Sequence, residues 1–151
     1  TKVQLNDLGD TSQIHKSLMG NKWKNPSYIG KSSKEIEILK NVKNRLNSQF
    51  ENKIMVVSNY LFLDSVTEKN LNAPNRTFTV DGASMPLPKN EHFKYYKKFL
   101  QKKIAEKNIN QIIFLKHENI PIETISNYIE NECYNVKDSE LFYIMELKCF
   151  N

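Results

Sequence analysis

Arginine is almost missing from this sequence. Arg45 and Arg76 stand against twenty lysines, so the chain has little of the bidentate fork that reads base edges and grips phosphates. Nucleic acid is not an expected partner. Glycine is sparse too, at four residues, and none falls in a P-loop or a dinucleotide fingerprint. The strand end that would carry such a loop reads "VVSNYLF", so no nucleotide cofactor is expected. There is no G-x-S-x-G elbow and no H-E-x-x-H pair. Cys133 and Cys149 are the only cysteines. They form no C-x-x-C and no Cys/His cluster, which speaks against a metal site. A disulfide between them is geometrically open, but the expectation is two buried thiols. No run of eighteen apolar residues exists, so no segment reads as a membrane-spanning helix, and no signal-peptide pattern opens the sequence.

What remains is enough for a folded domain. At 151 residues, with 39% hydrophobic and 11% aromatic residues, the chain can bury a sizeable core. Its formal charge is +5. That is compatible with attraction to anionic lipid or polyphosphate, although a solvated lysine surface is the plainer reading.

Residues 1–31 show no sustained period and read as an irregular arm, in which Trp23 packs on the domain surface or on a partner. The segment "SSKEIEILKNVKNRLNSQF" is a helix opened by a Ser32/Glu35 capping box, with Ile36, Leu39, Val42, Leu46 and Phe50 on one face. "KIMVV" (53–57) is a continuous apolar run suited to a buried strand. Ser58 or Asn59 caps a following helix over residues 60–70. In "NAPNRTFTVDGASMPLP" (72–88) the residues "RTFTV" alternate like a short strand. Residues 92–107 form a second strong helix, with Phe93, Tyr96, Phe99, Leu100 and Ile104 inward. "QIIFLK" (111–116) is a second buried strand, residues 121–133 a helix with Pro121 near its start, and "ELFYIMELK" (140–148) a last strand.

Apolar strands alternating with helices predict a single three-layer α/β domain over residues 1–151, its core at 32–151. The expected sheet has about four mostly parallel strands covered by helices on both faces, Rossmann-like without a nucleotide fingerprint.

In such sheets ligands sit beyond the carboxyl ends of the strands. Those ends carry Ser58, Asn59 and Tyr60 after one strand, and Lys116, His117 and Glu118 after the other. His117 with Glu118 offers acid/base chemistry, against the plainer reading of a loop histidine. Ser58 and Asn59 offer an anion site at a helix start, against a simple cap. Arg76 and Asp81 flank the short strand and either bridge each other or present the guanidinium to a phosphate or carboxylate. Asp64, Asp81 and Glu118 are unpaired in sequence, which gives a two-carboxylate hydrolase little support. The lysine-rich helix carries Tyr95 and Tyr96 at helical spacing with Phe99, which reads as core rather than as a nucleic-acid face. Asn75-Arg76-Thr77 matches a glycosylation sequon, a pattern too short to weigh.

One ordering is more specific. A strand ends in a small polar pair and Tyr60-x-Phe62, then come a helix, "APNRTFTVDGASMP", "YYKKFLQKKI" and "INQIIFLK". Across residues 33–147 this resembles the soluble C-terminal domain that follows the membrane helices of some bacterial GT-C-type glycosyltransferases, which use lipid-phosphate sugars. The resemblance implies a non-catalytic domain on the periplasmic, extracytoplasmic face of the inner membrane. It would pack on its own membrane domain or help hold acceptor glycan or lipid-linked sugar. It carries over no catalytic residue, since the family's catalytic acids lie in loops between membrane helices, and no cofactor is expected. Only Pro74-Asn75-Arg76 matches a motif, with no role attached. A chain opening at Thr1 in an irregular arm suits a segment that follows a membrane helix. The competing readings are a stand-alone, cytoplasmic α/β enzyme or ligand-binding domain using Ser58, Arg76 and His117, and an interaction module docking through Trp23.

Overall fold

The structure, a computed structural model, describes residues 7–51, 53–75 and 84–150. The chain divides into two units, one of Thr1–Gln49 with Leu63–Lys69 and one of Phe50–Phe62 with Asn70–Asn151.

In the first unit the arm that lacked a period holds a small ribbon. Strands β1 (Gly9–Asp10) and β2 (Lys22–Trp23) pair antiparallel, Gly9 opposite Trp23. The residues between them are knotted by Thr11, whose buried hydroxyl lies 2.8 Å from the Leu18 carbonyl and 3.1 Å from that of Asn21. Helix α1 (Ser32–Gln49) buries Ile36, Leu39, Val42 and Leu46, as its period predicts. Its start differs from the capping-box expectation. The Ser32 N–H donates to Asp7 Oδ1 at 3.1 Å, while the Glu35 carboxylate accepts from Trp23 Nε1 at 2.8 Å and from Asn25 Nδ2 at 2.9 Å. A Cβ on Gly9 would come within 2.6 Å of Ile36 Cγ1 and 3.0 Å of the Ser32 carbonyl oxygen, so ribbon and helix approach as only glycine permits. The helix expected over 60–70 is a single turn, α2 (Leu63–Val66), whose end is tied to α1 where Glu68 N–H meets Asn47 Oδ1 at 3.0 Å.

The second unit is built on a four-stranded sheet of β3 (Ile54–Val57), β4 (Gln111–Leu115), β5 (Tyr134–Asp138) and β6 (Phe142–Leu147). Its spatial order is β3-β4-β6-β5. Only β3 and β4 run parallel, with Val57 opposite Phe114, and β6 is antiparallel to both of its neighbours. The three-layer, mostly parallel, Rossmann-like sandwich is therefore wrong. Among the described residues the chain is an α+β fold with six short strands, in a two-stranded antiparallel sheet and a four-stranded mixed one, and four α-helices. The reason is local. The segment read as a helix over 121–133 is one short α-helix, α4 (Glu123–Ser126), followed by a 3₁₀ turn at Asn131–Cys133 and then β5. Residues 139–141 are too few for a crossover, so β5 and β6 must form a hairpin.

Residues Met55, Val57, Ile112, Phe114, Met145 and Leu147 line one sheet face. They form a core with Leu100 and Ile104 of helix α3 (Phe93–Glu106) and with Ile120, Ile125, Tyr128 and Ile129. Phe99, expected inward, is half exposed. Cys133 and Cys149 are joined in a disulfide with Cα atoms 5.1 Å apart, which overturns the expectation of free thiols. The register brings the two close: Tyr134 pairs with Leu147, the Lys148 N–H donates to the Cys133 carbonyl at 2.8 Å, and Cys149 is the next residue. The "RTFTV" strand lies outside the described residues.

Candidate functional site

Beyond the carboxyl ends of the parallel pair, four of the six singled-out residues come together. β3 runs into Ser58, nearly buried, whose Oγ accepts the Tyr60 N–H at 2.9 Å. This Ser turn swings the Tyr60 ring inward, where it is buried. The ring stacks on His117, with centroids 5.3 Å apart and planes 25° apart, and meets the edge of Phe62 at 6.0 Å. Next to that stack, the Asn59 N–H donates to Glu118 Oε1 at 2.8 Å. The two N–H groups that would greet an anion at Asn59 and Tyr60 thus already have oxygen acceptors from the protein.

The end of β4 supplies the other half. Residues 116–118 make one 3₁₀ turn, and Asn119 leaves it at φ 52°, a left-handed conformation that asparagine tolerates better than most residues. Lys116 turns the other way, its ammonium 4.9 Å from the Tyr143 ring centre and paired with Asp138 on β5. The three polar residues after β4 therefore grip three separate neighbours: Lys116 the hairpin, His117 the Tyr60 ring, Glu118 the Asn59 backbone.

Arg76 and Asp81 lie outside the described residues. The residues that bracket them are firmly held. Asn75 Nδ2 donates to the Ser84 carbonyl at 2.9 Å, and Asn75 Oδ1 accepts from the Tyr96 hydroxyl at 2.8 Å. Tyr128 donates to the Pro86 carbonyl at 2.5 Å, and Lys103 to the Ala73 carbonyl at 2.5 Å. The rings of Tyr96 and Tyr128 are 5.0 Å apart, and Phe93 stacks on Tyr128 at 5.0 Å.

Burial raises the Tyr96 hydroxyl well above the usual tyrosine range, with Tyr128 adding to it and the Asn75 hydrogen bond opposing. Burial pushes Tyr128 up to about 12. Lys103 is lowered by burial and then by Lys107. Sequence reading took Tyr96 for core alone. The signal was the residue type, because a buried tyrosine where phenylalanine would pack usually has a partner for its hydroxyl.

Among the described residues no three His, Cys, Asp or Glu side chains are grouped to hold a metal ion, and no helix is long and apolar enough to cross a membrane. No family model matches the chain, and no match to it is found among curated proteins or solved structures.

Proposed function

We propose that this chain is a non-catalytic, extracytoplasmic domain of a bacterial GT-C-type membrane glycosyltransferase, packing on its membrane domain or helping to hold acceptor glycan. The observation that carries the reading is the Cys133–Cys149 disulfide. Structural disulfides persist in oxidising compartments and are rare in the reducing cytosol. The stretch that bears the family resemblance adds support, since both of its flanks are pinned to α3 and its surroundings by Tyr96, Lys103 and Tyr128. Those contacts suit a fixed element of the domain.

The alternative, a small-molecule binding domain, draws on the convergence of Ser58, Asn59, Tyr60 and His117. It is the weaker reading, because these residues are engaged with one another and with Glu118.

Cells carrying the full-length gene test the proposal. In spheroplasts, a protease that cannot cross the inner membrane should remove this domain. Reading the gene upstream of Thr1 should reveal several apolar spans of about twenty residues. Full protection from the protease, or a start codon immediately before Thr1, sinks the reading.

A further inference from the structure

Helix α3 has two faces of different character. Leu100 and Ile104 are buried against the sheet, whereas Tyr95 is 76% and Phe99 52% exposed. Their spacing of four residues places the two aromatic side chains one turn apart on the same outward face. Lys94, Lys98 and Lys102 are exposed beside them. Between residues 94 and 102 the sequence reads "KYYKKFLQK", without one carboxylate. Of its four lysines, Lys97 pairs with Glu130 and Lys102 reaches Glu106 at 3.6 Å. Glu91, just before the helix, lies 3.6 Å from His92.

Exposed aromatics flanked by lysines on a helix packed through its opposite side have a specific complement. The aromatic bodies favour the interface between headgroups and acyl chains, and the lysine stems lie flat while their ammonium groups meet anionic headgroups. A nucleic-acid ligand would favour arginine for base and phosphate contacts, and neither arginine of this chain lies on α3. We propose that the Tyr95/Phe99/Lys94/Lys98/Lys102 face of α3 docks on an anionic lipid bilayer surface. The proposal stands on this helix surface alone and does not need the glycosyltransferase reading.

The test is sedimentation of the 151-residue chain with vesicles of phosphatidylglycerol and phosphatidylcholine in equal parts, against vesicles of phosphatidylcholine alone. Binding to the mixed vesicles should weaken as salt is added. The double variant K94A/K98A should bind about thirty-fold more weakly, from the worth of each lysine near an anionic surface. Y95S/F99S should lose binding that persists at high salt. K34A/K40A, which removes the same charge from exposed positions on α1, should bind as the unmodified chain does. Circular dichroism of each variant controls for folding, and the salt dependence of the unmodified chain needs no variant. The proposal is overturned if the chain ignores mixed vesicles at low salt. It is equally overturned if K34A/K40A weakens binding as much as K94A/K98A. Retention on a polyanion matrix through the same lysines without vesicle binding also overturns it.

Discussion

The ring of His117 lies on the ring of Tyr60, centroids 5.3 Å apart and planes inclined by 25°, and the adjacent Glu118 takes the Asn59 N–H at 2.8 Å. These contacts clamp the ends of two parallel strands, β3 and β4, from opposite sides of one small turn. If the cluster works as a clamp, loosening it costs stability. A double-mutant cycle on Tyr60→Leu and His117→Leu should return a coupling of about 1 kcal/mol. Glu118→Ala should cost about 1 kcal/mol through the lost hydrogen bond to the Asn59 N–H. Each kcal/mol lowers the melting temperature by about 2–4 °C in a domain this long. Variants that melt like the unmodified chain would remove the clamp and return these residues to the ligand-binding reading.

The tyrosine pair over α3 makes a second, pH-dependent test. Tyr96 and Tyr128 are both raised above the ordinary tyrosine value of 10.0, so above pH 10 the unfolded chain loses protons that the folded chain retains. Their stabilisation is complete below pH 10 and fades as pH climbs toward 12. Lys103, lowered by burial, works the other way, since its burial cost is relieved as pH rises toward its unfolded value. Chemical denaturation across this range should show stability falling for the unmodified chain and a flatter decline for Tyr128→Phe. Tyr96→Phe should flatten it too, and should also cost about 1–3 kcal/mol at neutral pH by stripping Asn75 of its hydroxyl donor. An unchanged alkaline slope in both variants would refute the account.

How much of this was readable beforehand depends on burial. α1, β3 and β4 announce themselves because burial writes a period or an apolar run into them. β5 does not: after Tyr134 its residues Asn135, Val136, Lys137 and Asp138 are all exposed, as suits an edge strand, and nothing in "YNVKD" alternates strongly. Missing it made the final strand look parallel and the sheet Rossmann-like. The same omission hid the disulfide, because only the β5–β6 register sets Cys133 beside Cys149. Of the site, Ser58, Asn59, Tyr60 and His117 were correctly placed at the strand ends. Their mutual engagement was not legible, since it depends on the Ser58 turn and the Asn119 left-handed exit.

Glu35 offers a probe of the first unit. Its side chain is buried, and its two oxygens accept from Trp23 Nε1 at 2.8 Å and Asn25 Nδ2 at 2.9 Å. Glu35→Ala takes the acceptor from both donors and should cost about 1.5–3 kcal/mol. Trp23 is the single tryptophan, so its fluorescence reports this locus directly. The emission of Glu35→Ala should shift to the red under native conditions, and Glu35→Gln should recover part of the difference. An unshifted spectrum in Glu35→Ala would mean that the indole is held by other contacts.

The disulfide gives the last prediction, and its effect should be local. The bridge joins residues separated by 16 in sequence and so restrains the unfolded chain by about 3 kcal/mol on loop-closure grounds. Reduction should lower the melting temperature by about 6–12 °C. The location of the loss is the sharper point. Cys133 and Cys149 sit at the open end of the β5–β6 hairpin, where the Lys148 N–H also bonds the Cys133 carbonyl at 2.8 Å. Among the described residues β5 pairs only with β6, and it is solvent-exposed along most of its length. β3 and β4 are buried and hold each other by parallel pairing. Hydrogen exchange after reduction should therefore accelerate first at residues 134–138, while amides of β3 and β4 keep their protection. Uniform loss across the sheet would show that the bridge supports the whole sheet and not only its edge.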